Sequence, residues 1–154
     1  MNNDEIKNFL IRANRNGYGN TSVKPVDEAD GSHTIIYKEE DWLFHDNYFG
    51  GEPFDGREVI SYNNKPIWIM VYYGLVSDMS MQKEVYGFLK KALLNFTDDM
   101  PYRGPEKLEE GDWLYVNKVD GDFNNFSGEE IITFKNKEVY RAKYEGGLVD
   151  KIKE

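Results

Sequence analysis

Two glutamates occupy matching places in this chain and are the residues best suited to chemistry. Glu58 follows Gly56 by two residues in FDGREVISYNNKPIWIMVYYG (54–74), and Glu130 follows Gly128 by two in FSGEEIITFKNKEVYRAKYEG (126–146). Aligned without a gap, the segments agree at eight of 21 positions, where random pairing gives about one. Strand alternation places Glu58 on the face of Ile60 and Tyr62, and Glu130 on that of Ile132 and Phe134. Two acids facing one cleft suit either of two chemistries. With split pKa values they form the acid and base of a carboxylate-dependent hydrolase. With aromatic walls they bind an organic cation, because ring quadrupoles and carboxylate charge attract it in the same sense. Trp68, Tyr72, Tyr140 and Tyr144 share the presumed face and would supply those walls.

Arg103, in the turn Tyr102-Arg103-Gly104-Pro105, has no counterpart in the first repeat. It would clamp one glutamate, or hold an anionic ligand with both arms of its guanidinium. A plainer alternative stays open for each residue. The acids would bind local N–H groups or a neighbouring cation, and the rings would be core.

The remaining inventory is thin. His33 lies in a loop, and His45 adjoins Asp46 in a strand, where successive side chains point to opposite faces. HExxH, GxSxG, SxxK and phosphate-binding glycine motifs are absent. The lack of cysteine excludes disulfides, thiolate nucleophiles and Cys-bound metals. No catalytic residue, metal ligand or cofactor is therefore assigned. The net charge of −9 opposes phosphate backbones and argues against direct nucleic-acid binding. MNNDEIKNFL lacks the basic and apolar regions of a secretory leader, and no apolar run nears the roughly 18 residues of a membrane span. A soluble, cytoplasmic protein without membrane contact is expected.

These residues need a scaffold, and the repeat implies one. Asp41-Trp42-Leu43-Phe44 reads against Asp112-Trp113-Leu114-Tyr115, and Leu75-Val76 against Leu148-Val149. A capped helix carries Ile6, Phe9, Leu10 and Ala13 and stops at Asn16-Gly17, before a Gly/Pro/Asp-rich loop over 17–33. Hairpins follow at Thr34–Tyr37 with Trp42–Tyr48, and at Glu58–Tyr62 with Lys65–Tyr73. Asn63-Asn64 and Lys135-Asn136 mark equivalent two-residue turns. Ser80 would cap a second helix bearing Val85, Phe88, Leu89, Ala92 and Leu93, with Gly87 admitting a close backbone neighbour.

One domain of two repeats, about 4–76 and 80–149, is therefore expected. Each would be a helix, a loop and three to four strands. Together they would form an α+β fold, a pseudo-twofold antiparallel sheet, strongly curved or nearly closed, with both helices packed on it. Ile67–Tyr73 is apolar on both faces, so a helix of this chain, a second subunit or a ligand must cover its outer side. A homodimer through that strand is one reading.

Asp46-Asn-Tyr-Phe-Gly-Gly51, Phe54–Ile60, Trp68–Gly74, Tyr102–Pro105, Phe126–Ile132 and Tyr144–Gly147 together resemble an uncharacterised bacterial domain family. It occurs alone or behind helix-turn-helix segments of XRE-type regulators. The resemblance spans about Phe9 to Leu148 and implies an effector-sensing or oligomerising module.

Overall fold

The computed structural model describes residues 2–17 and 22–150. Helix α1 (Asn3–Asn16) starts from a capping box. The Asn2 side chain accepts from the Glu5 N–H at 2.9 Å, and the Glu5 carboxylate accepts from Asn2 N at 2.8 Å. Strands β1 (Val26–Asp27), β2 (His33–Glu39), β3 (Trp42–Phe49), β4 (Phe54–Tyr62) and β5 (Lys65–Val76) follow, then α2 (Gln82–Leu94). The chain closes with β6 (Lys107–Glu110), β7 (Trp113–Asp122), β8 (Asn125–Phe134) and β9 (Lys137–Leu148). Residues 18–21 of the expected 17–33 loop lie outside the described residues.

Among the described residues all nine strands make one antiparallel sheet, ordered β1-β2-β3-β4-β5-β9-β8-β7-β6. The sheet is open, with β1 and β6 as its edges, so near-closure is not realised. The join between the halves is β5 against β9, where Tyr72 lies directly opposite Tyr144. Both Asn63-Asn64 and Lys135-Asn136 take positive φ, from 49° to 64°, as a primed two-residue turn requires.

A single sheet face carries the core. On α1, Ile6, Phe9, Leu10 and Ala13 pack on Phe44, Ile60, Trp68 and Met70 of the first half. Val85, Phe88, Leu89 and Ala92 of α2 pack on Tyr115, Ile132, Tyr140 and Ala142 of the second. Three expectations are corrected. Asp78, not Ser80, caps the 3-10 turn before α2, its carboxylate accepting from Ser80 N at 3.1 Å. A Cβ on Gly87 would meet nothing within 4 Å among the described residues. Neither helix covers the outer face of β5, where Val71, Tyr73 and Leu75 are 41%, 51% and 38% exposed. No described helix is long and apolar enough to cross a membrane.

Candidate functional site

The glycines ahead of the two glutamates explain the local geometry. Gly56 stands opposite Tyr72, and Gly128 opposite Tyr144. A Cβ on either glycine would run into the ring of that tyrosine. Each ring therefore lies across the neighbouring strand, and its hydroxyl reaches the strand beyond. Tyr72 donates to Asp46 Oδ1 at 2.7 Å, and Tyr144 donates to Asn117 Oδ1 at 2.6 Å. Asp46 sits opposite Glu58 on β3 and β4, and Asn117 opposite Glu130 on β7 and β8.

From this shared framework the two acids diverge. Glu130 is wholly buried and richly bonded. Its Oε1 accepts from Arg103 Nη2 at 2.6 Å, from Arg103 Nε at 3.2 Å and from the Tyr140 hydroxyl at 2.8 Å. Its Oε2 accepts from the Tyr115 hydroxyl at 2.5 Å. Tyr115 in turn accepts from Gly104 N at 3.0 Å, and Asn117 Nδ2 donates to Gly104 O at 3.0 Å. The 102–105 turn is thereby pinned with its guanidinium against the acid. Burial works against the Arg103 charge, but Glu130 outweighs it and holds the arginine well above its ordinary pKa. Burial, then the Glu130 charge, pushes the Tyr115 and Tyr140 phenols up.

Glu58 is also buried, only 8% exposed, yet its Oε2 has no hydrogen-bond partner among the described residues. The reason is legible in two differences between the segments aligned in the sequence. Phe44 and Trp68 stand where Tyr115 and Tyr140 bring hydroxyls to Glu130. A third difference adds a charge, since Asp46 takes the place of Asn117. Two carboxyls thus face each other on adjacent strands in a buried setting, an arrangement that disfavours double ionisation. Burial and then the Asp46 charge hold Glu58 well above its ordinary 4.5, with Arg103 pulling back. Burial raises Asp46 to about 6 against the opposing pull of the Tyr72 hydroxyl and Arg103.

Beside these acids lies a cavity of about 310 Å³, at the low end of the roughly 300–1,000 Å³ range of small-molecule sites. Its polar end holds Asp46, Glu58, Tyr72 and Arg103. Its apolar wall is Ile35, Phe44, Phe54, Leu89 and Leu93, contributed by the sheet and α2. Exposed Gly50 and Gly51 line its rim, where the Tyr86 hydroxyl of α2 donates to Gly51 O at 2.8 Å. The Arg103 guanidinium carbon lies 5.3 Å from the Tyr72 ring centre, which fixes the ring at the boundary between the two acid sites.

The family model of a domain of unknown function, DUF5680, matches residues 46–149, which include both acids and the turn between them. The chain belongs to that family. No curated protein and no solved structure matches it.

Within the DUF5680 segment the sequence-selected residues separate into groups. Glu58, Tyr72 and Arg103 line the cavity. Glu130 and Tyr140 do not line it: Glu130 binds Arg103, and Tyr140 donates to Glu130. Tyr144 is engaged with Asn117. Trp68 is fully buried, donates from Nε1 to Phe123 O at 3.3 Å and stacks on Phe123 and Phe126. Asp46 is absent from the sequence-based set, although extending the Asp41/Asp112 correspondence along the strand pairs it with Asn117. His45 lies on the opposite face from Asp46, and burial followed by the Arg57 charge lowers its pKa. Among the described residues no group of His, Asp and Glu is arranged to hold a metal ion.

Proposed function

We propose that this chain is a non-catalytic small-molecule sensor that binds an organic cation in the cavity beside Asp46 and Glu58. The observation that carries the reading is the unpartnered Glu58 Oε2 beside that cavity. A buried acceptor without a donor is costly, and a cationic ligand supplies both the donor and the opposite charge. Tyr72 and Phe44 offer ring surface, and Leu89 and Leu93 receive an apolar body. We read the halves as repeats related by a pseudo-twofold axis through the Tyr72/Tyr144 pair. One copy then serves as scaffold and the other as receptor. Resemblance to bacterial domains that occur alone or behind XRE-type helix-turn-helix segments supports a cytoplasmic sensing role.

Thermal-shift screening of amphipathic cations tests the proposal. At 100 times its Kd, a ligand stabilises by about 2.7 kcal/mol, which is a readily measured shift. Glu58→Gln should abolish the shift. A shift that survives in Glu58→Gln, or none with any cation, counts against the reading.

A second reading, a homodimerisation module, draws on the bare face of β5. That strand is hydrogen-bonded on both edges, so a partner would have to use its exposed Val71, Tyr73 and Leu75. Light scattering separates the two: a monomer at high concentration removes the dimer.

A further inference from the structure

The Asp46–Glu58 pair says more about the ligand than its charge. Both side chains lie on the core face, directly opposite each other, with the cavity beside them. Among the described residues, the Asp46 side chain accepts from Tyr72, and Glu58 Oε2 accepts no hydrogen bond. Two adjacent buried carboxylates with one donor between them carry a negative charge that Arg103 offsets only in part. Arg103, the one cation lining the cavity among the described residues, is already bonded to Glu130 through Nη2 and Nε.

We propose that Asp46 and Glu58 share one proton before the ligand binds and release it when a primary ammonium group docks against them. This rests on the cation-binding reading of the cavity and adds the class of cation. The charge balance closes. A singly protonated pair carries one negative charge, and a doubly ionised pair with one ammonium carries the same. The displaced proton goes to solvent. An ammonium also brings N–H donors, which satisfy Glu58 Oε2 and the free lone pairs of Asp46. A quaternary ammonium brings none and leaves those acceptors unsatisfied.

The other groups facing the pair do not titrate in the same range. Tyr48 comes from β3, Tyr72 from β5, Tyr86 from α2 and Tyr102 from the turn, and burial raises each phenol above its ordinary 10.0. Arg103 stays charged. From α1 the lining side chain is Asn14, and from β2 it is Ile35, neither titratable.

Calorimetric titration of the full chain with hexylammonium and with N,N,N-trimethylhexylammonium, in buffers of different ionisation enthalpy, tests this. Hexylammonium should release close to one proton. Its affinity should rise by up to about tenfold per pH unit until the pair is fully ionised, the limit for one linked proton. The trimethyl compound should bind at least about tenfold more weakly, the measure of one unmade hydrogen bond to a charged group. Hexylammonium binding without proton release, or equal affinity for the two compounds, overturns the shared proton while leaving cation binding intact. If neither compound binds, the cation reading falls. Infrared spectra of the ligand-free chain then judge the shared proton separately. A carboxylic-acid C=O band near neutral pH that disappears in Glu58→Gln upholds it. The absence of that band in the wild type overturns it.

Discussion

The acid site on β7 and β8 and the one on β3 and β4 have the same backbone plan and opposite electrostatics. In each, a tyrosine crosses a glycine and bonds the residue opposite the glutamate. Around Glu130, an arginine and two tyrosines complete the carboxylate, and an asparagine sits opposite. Around Glu58, a phenylalanine and a tryptophan bring no donor, and an aspartate sits opposite. Identity at matching positions of the two aligned segments therefore does not carry a role with it. The donors around the glutamate decide whether it ties the fold together or faces a cavity.

The two acid sites should differ most in denaturation. Glu130→Gln should cost about 3–5 kcal/mol in urea unfolding, because it strands Arg103 in the core. Glu58→Gln should fall within about 1 kcal/mol of wild type, since it removes an unpaired acid and not a bonded one. Equal losses would make the two sites equivalent and remove the distinction.

Gly56→Ala and Gly128→Ala each force a tyrosine ring out of its place and should cost about 1–3 kcal/mol by the same measurement. A marked loss at Gly128 alone would confine the ring-over-glycine device to one half.

Stability against pH gives the next effect. An acid whose pKa is higher folded than unfolded binds more protons in the folded state, so stability falls as pH rises through that interval. For Asp46 the interval runs from its ordinary 3.8 to about 6, and for Glu58 it begins near 4.5. Unfolding free energy should thus decline above about pH 4, by on the order of 3 kcal/mol from Asp46 alone. The decline should flatten in Asp46→Asn.

Phe44→Tyr is the subtlest change, since it offers Glu58 the hydroxyl that Tyr115 gives Glu130. It should add about 0.5–1 kcal/mol above neutral pH and weaken ligand-induced thermal shifts.

Much of the fold is legible in the sequence because it rests on local rules. The primed turns at 63–64 and 135–136, the capped first helix and the alternation of β9 follow from turn chemistry and period-two patterning. The cover of β5 is not legible. An apolar strand face reads the same whether a helix packs on it or nothing does, and both helices occupy the other face. In the candidate site, Glu58, Tyr72 and Arg103 stand out by repetition or by its absence. The separation of Glu58 from Glu130 depends on Phe44 and Trp68, whose significance lies in the hydroxyls they lack. Missing donors leave no motif.

The two ends of the sheet set how this molecule can meet others. β1 offers two residues of free edge, and β6 offers only Lys-Leu-Glu-Glu. Ribbons this short and this charged make poor templates for another chain's backbone. Growth by strand addition is therefore blocked at both borders, and an associating protein is steered toward the side chains on the broad surface left bare by the helices.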